Sequence, residues 1–153
     1  MFEAGNILHG YFDLGSNGKK NKFVVVLYND GIDCIVTTFT TSQLRSSVAE
    51  PVHGRNPKER EAESYVFKAN VVIGSEPINN ADFAFHKDTT IVPDYGLNQA
   101  TISIFNATVS NLKIVCKLSE KEYEALIYTL YLCKRTKKKY KILFEEILKK
   151  IVK

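Results

Sequence analysis

Residues 22–28 read Lys22-Phe23-Val24-Val25-Val26-Leu27-Tyr28. Six consecutive apolar residues follow one lysine. The run is β-branched and aromatic, and too short for a typical helix, so it reads as a strand. It shows no alternation of apolar and polar positions, which predicts a strand covered on both faces. The next residues, Asn29-Asp30-Gly31, tolerate the positive φ of a tight hairpin. A return strand is therefore predicted from about Ile32 to Phe39, antiparallel to the first. It leads into Thr37-Thr38-Phe39-Thr40-Thr41-Ser42, where every residue but Phe39 carries a hydroxyl. Two readings stay open there: a wet strand face, or the floor of a polar site.

Working outward, residues 6–12 (NILHGYF) predict a first strand, and residues 15–21 (GSNGKKN) a flexible loop. Residues 43–64 hold two prolines, many charges and few large apolar groups, and read as a long mobile loop. Tyr65–Gly74 reads as a strand. Shorter ones are expected at Phe83 and Phe85, Thr89–Val92, Thr101–Phe105 and Leu112–Cys116.

The pattern changes at Leu118. Ser119-x-x-Glu122 is a capping box, in which the serine oxygen accepts the Glu122 amide and the glutamate reaches back. Tyr123, Leu126, Ile127, Leu130 and Tyr131 then form one helical apolar face. A second face runs through Tyr140, Leu143, Phe144, Ile147 and Ile151. The two do not share phase across the lysine-rich 134–139 stretch, which predicts two helices or one that bends there. Strands followed by helices predict an α+β domain: a small, strongly bent β-barrel with C-terminal helices. One domain is expected over 1–153, with the barrel at about 5–117 and a helical tail at about 119–152.

The totals narrow the classes. A chain of 153 residues with 44% apolar and 25% charged residues is not disordered as a whole. Its net charge of +4 is gathered at Lys19, Lys20 and Lys22 and in 134–141, a bias toward polyanions. Cys34, Cys116 and Cys133 lack disulfide-framework or zinc spacing and read as reduced thiols. The first residues, MFEAGNILHG, do not resemble a signal peptide, and no stretch approaches the length that spans a bilayer. A soluble, cytoplasmic protein without membrane contact is expected. No Walker loop, GxGxxG, HExxH, GxSxG or EF-hand occurs, so neither cofactor nor metal is expected.

The order of these features resembles the MazF/PemK toxins of bacterial toxin–antitoxin systems. Gly5-Asn6-Ile7-Leu8 is similar to the family's opening strand. A loop with glycine and lysine leads into Lys22-Phe23-Val24-Val25-Val26-Leu27, and the next strand ends in Thr40-Thr41-Ser42. Leu118-Ser119-Glu120-Lys121-Glu122-Tyr123 resembles the family's strand-to-helix junction. The resemblance covers roughly residues 5–132. It implies an SH3-like barrel, a homodimer, an acidic antitoxin partner and metal-independent endoribonuclease activity on single-stranded RNA. Where the family carries Arg-Pro, this chain has Lys22-Phe23. Lysine keeps the charge but loses the planar fork that grips phosphate. That departure leaves a second expectation open: a non-catalytic nucleic-acid- or protein-binding module on the same barrel. A third is an interaction protein whose tail docks a partner.

Metal-free RNA cleavage needs a base, an acid and a cation. The expected catalytic set is Lys22 as cation, Thr40, Thr41 and Ser42 as phosphate donors, and His86 oriented by Asp88 two residues on. Lys19, Lys20, His53, Arg55, Lys137, Lys138 and Lys139 are expected to contact RNA; the last three could equally hold an acidic antitoxin segment. The plainer readings are an exposed threonine face, a surface turn at His86 and solvated lysines. His9, in an apolar strand, reads as a core or edge histidine.

Overall fold

The structure is a computed structural model; it describes residues 2–13, 19–38, 40–41, 52–56, 64–91 and 97–151. Ser42, most of the 43–64 segment and Val92 lie outside the described residues.

β1 (Asn6–Asp13), β2 (Lys19–Asn29) and β3 (Asp33–Thr38) form an antiparallel meander. The turn between β2 and β3 is built as its residues demand. Gly31 takes φ +97°, and the Asp30 carboxylate accepts the amides of Ile32 (2.9 Å) and Asp33 (2.8 Å). Val24, Val25, Val26 and Leu27 are each 0% exposed, as the unbroken apolar run requires. Alternation sends them to different cores. Val24 and Val26 pack with Phe2, Leu8, Phe105 and Val109 on one face. Val25 and Leu27 join Ile7, Phe67, Ile91 and Leu126 on the other.

β1, β2 and β3 belong to a seven-stranded antiparallel sheet of order β10-β3-β2-β1-β11-β7-β8. Its other members are β7 (Gly74–Ser75), β8 (Asp82–Phe83), β10 (Leu97–Thr101) and β11 (Val109–Leu118). A second sheet of order β4-β9-β6-β5 is made of β4 (Thr40–Thr41), β9 (Thr89–Ile91), β6 (Ser64–Phe67) and β5 (Gly54–Asn56). The class is therefore α+β with antiparallel sheets. Among the described residues neither sheet closes on itself into the strongly bent barrel that was expected.

Four local expectations need correction. β2 begins at Lys19, so Lys19, Lys20 and Asn21 lie in a strand and not in a loop. The 43–64 segment contains a strand, β5, paired with β6. The Tyr65–Gly74 strand stops at Phe67, where the chain turns through Asn70 at φ +64°. Thr101–Phe105 is not a strand: β10 ends at Thr101 and a helix, α1 (Ile102–Thr108), follows. The Thr101 hydroxyl caps it by accepting the Ile104 amide at 3.2 Å. Phe105 turns inward against Phe2 and Phe12, with ring centroids 5.3 and 5.8 Å away, while Ile104 is left exposed. The cap and the buried aromatic outweigh the β-branched residues.

The C-terminal pattern forms two helices, α2 (Glu120–Leu132) and α3 (Lys138–Ile151). Leu126, Ile127 and Leu130 of α2 and Tyr140 and Phe144 of α3 enter the main core. The Thr136 hydroxyl donates to the Leu130 carbonyl at 2.6 Å and fixes the junction. Most of the tail's apolar residues thus pack internally, while Tyr128 and Ile142 are left exposed. Cys116 and Cys133 are buried thiols outside any disulfide, and burial pushes the Cys116 thiol up to about 12. Among the described residues no helix is long and apolar enough to cross a membrane.

Candidate functional site

The expected catalytic residues are described in part, since Ser42 lies outside the described residues. Lys22 pairs with Gly10 in the seven-stranded sheet, while Thr40 and Thr41 pair with Thr90 and Thr89 in the other. His86 is exposed. Asp88 serves a different partner: it accepts Lys68 Nζ at 2.8 Å and the Ala69 amide at 2.9 Å. The Lys68 bond first, then the Ala69 amide, hold the Asp88 carboxyl below its usual range. Arg55 lies in β5 opposite Tyr65 and is half-buried. Lys137, Lys138 and Lys139 are exposed at the start of α3, with Lys139 Nζ 4.9 Å from the Tyr140 ring centre.

His53 is turned inward. Its Nδ1 accepts the Lys68 amide at 3.1 Å, so the proton sits on Nε2, which donates to Glu122 Oε1 at 2.7 Å. Tyr65, 1% exposed, donates its hydroxyl to the same oxygen at 2.6 Å. Burial, with the Glu122 carboxylate, drives the Tyr65 phenol far above its usual value. The capping box is therefore half used. Ser119 Oγ accepts the Glu122 amide at 3.2 Å, but the Ser119 amide is taken by the Ile73 carbonyl at 3.0 Å. The glutamate is released to hold β5 and β6 against α2. Both imidazole nitrogens of His53 have partners within the fold, so this cluster ties β6 and the residues around it to α2.

A cleft of about 510 Å³ opens elsewhere, on the face of the sheet that carries His9. Cross-strand registry puts His9 opposite Phe23 on β2 and Lys113 on β11. The His9 and Phe23 rings lie 4.7 Å apart, and all three residues line the cleft. A bulge creates this arrangement. Between the pairs His9–Lys113 and Tyr11–Ser110, two residues of β11 face Gly10 alone. Asn111 supplies the required left-handed backbone at φ +55°. A side chain at position 10 would meet Val109 Cγ1 at 2.5 Å, so only glycine fits under the bulge.

The opposite wall is the β7–β8 turn, which presents Glu76, Pro77, Ile78 and Asn79. The Glu76 amide donates to the Ala81 carbonyl at 2.8 Å, and Asn79 Oδ1 accepts the Ala81 amide at 3.0 Å. Burial, and then the Lys113 charge, lower the His9 pKa below 6.5. The cleft thus holds an imidazole that is neutral at pH 7 beside an ammonium, over an aromatic ring. That set can take up a proton, stabilise an anion and pack a flat ring. His9 and Phe23 were legible as strand residues. Lys113 becomes their neighbour only through β1–β11 pairing and the bulge. Among the described residues, no group of three or more His, Cys, Asp or Glu side chains is arranged to hold a metal ion.

The chain matches no protein-family model, no curated protein and no solved structure.

Proposed function

We propose that this chain binds single-stranded RNA in the His9 cleft and cleaves it without metal, as a toxin-like endoribonuclease. The observation that carries the reading is the neutral His9 imidazole lining one cleft with Lys113. His9 takes the proton of a 2′-hydroxyl as that oxygen attacks the adjacent phosphorus. Lys113 stabilises the negative phosphorane. The bond from phosphorus to the 5′-oxygen breaks, and the proton passes from His9 to that oxygen. The products are a 2′,3′-cyclic phosphate and a 5′-hydroxyl.

The test is cleavage of an unstructured RNA in excess chelator, across pH. Cyclic-phosphate ends are expected, with the acid limb of the pH–rate profile below 6.5, since a base whose pKa is lowered stays active to lower pH. His9→Ala should slow cleavage by about 10²–10⁴-fold, and Lys22→Ala and His86→Ala should leave it near wild type. An unslowed His9→Ala enzyme overturns the assignment. A toxin role adds an acidic antitoxin and a homodimer; arrest of growth on expression, relieved by His9→Ala, is its cellular counterpart.

The second reading, non-catalytic RNA binding, is favoured by one observation: Lys22 and the Thr40–Thr41 pair stand in different sheets. It predicts salt-sensitive binding and no cleavage products.

A further inference from the structure

Glu76 has no role in the chemistry above. It is half-buried and lines the same cleft as Lys113. Among the described residues, neither side-chain charge forms a hydrogen bond or ion pair, including with the other. Two opposite charges in one cleft would gain by pairing, so their separation leaves room for a ligand that bears both complements. A site for bare phosphate would not include a carboxylate. A nucleotide explains both ends: its phosphate suits Lys113, and its base must then offer N–H donors to Glu76.

An ionised carboxylate only accepts hydrogen bonds, and its two oxygens can serve two adjacent donors. Among the four RNA bases, only guanine presents two adjacent N–H donors on its Watson–Crick edge, N1–H and the N2 amine. Adenine and cytosine offer one amine beside an acceptor nitrogen, and uracil one N–H between two carbonyls. An acceptor-only group therefore leaves lone pairs facing each other with any base but guanine. Phe23, Ile78 and Ile114 supply the apolar lining for the ring. We infer that Glu76 makes the His9 cleft selective for guanine in single-stranded RNA. This inference rests on the reading of the cleft as an RNA site.

Its test uses the whole chain and 2′-O-methyl tetranucleotides, which bind but cannot be cut, with guanine, hypoxanthine, adenine, cytosine or uracil at one position in a uridine context. Calorimetry should show guanine bound about tenfold more tightly than adenine, cytosine or uracil. Hypoxanthine, which lacks the N2 amine, should fall between. Glu76→Gln should erase the preference while uridine-only binding persists, and Lys113→Ala should weaken all ligands alike. Equal affinities, or a guanine preference unmoved by Glu76→Gln, overturn the inference; if Lys113→Ala still weakens binding, the RNA cleft itself survives. Absence of binding by every tetranucleotide overturns both.

Discussion

Replacing Gly74 with alanine should destabilise the fold by about 3 kcal/mol or more. A Cβ at this position would lie 2.0 Å from the Lys117 carbonyl oxygen and 2.9 Å from Cys116 Sγ. The first is backbone and the second belongs to a buried side chain, so neither can swing aside. Gly74 pairs with Leu118 and with Phe83, so β7 joins β11 to β8 across this one close approach. Pushing β7 outward breaks that pairing and unseats the turn that carries Glu76 and Ile78. In a domain of this size the thermal midpoint should fall by about 6–12 °C. A midpoint within about 2 °C of wild type would mean that β7 and β11 do not approach as described.

The second large effect is expected at Glu122. Glu122→Leu removes the acceptor shared by the buried Tyr65 hydroxyl and His53 Nε2–H. Each of the two donors left without a partner costs about 1–3 kcal/mol, so a loss of about 2–6 kcal/mol is expected. The helix also loses a negative charge from its first turn, where the macrodipole favours one. Glu122→Gln keeps an acceptor oxygen and should lose about half as much. Urea unfolding of the three proteins measures the order directly. A leucine variant as stable as wild type would show that the tie contributes nothing.

Both effects concern residues whose types were plain in the sequence and whose partners were not. The capping box was legible because Ser119 and Glu122 lie in one turn. The diversion of Glu122 to Tyr65 and His53 was not, since it depends on how β5 and β6 meet α2. The same division runs through the fold. β2 could be read from Phe23–Tyr28 alone, because burial on both faces leaves no polar alternation. Thr101–Phe105 misled because Thr and Ile favour strands. The contrary signal was present: Thr101 as a cap, with apolar residues at 102, 105 and 109 in helical spacing.

The site was harder still. Pairing within the β2–β3 hairpin suggested that Lys22 would face the hydroxyl-rich end of the return strand. β3 pairs with β2 as far as Thr38, and Thr40 and Thr41 pair with β9 in the second sheet. His9 read as an ordinary strand histidine, because one extra residue in β11 decides that Lys113 stands beside it. Bulges carry little sequence signal beyond a glycine or asparagine. Gly10 and Asn111 are that signal here, far apart in the chain.

The central claim is that RNA occupies the His9 cleft and not the lysine and threonine positions that the family resemblance singles out. Adding a non-cleavable single-stranded RNA to isotopically labelled protein, and following the histidine rings, lysine ammoniums and threonine amides by NMR, tests it most directly. Saturable shifts are expected at His9 and Lys113, with His86, Thr40 and Thr41 unmoved. Shifts gathered at Lys22, Thr40 and Thr41, with His9 unchanged at saturation, would contradict it.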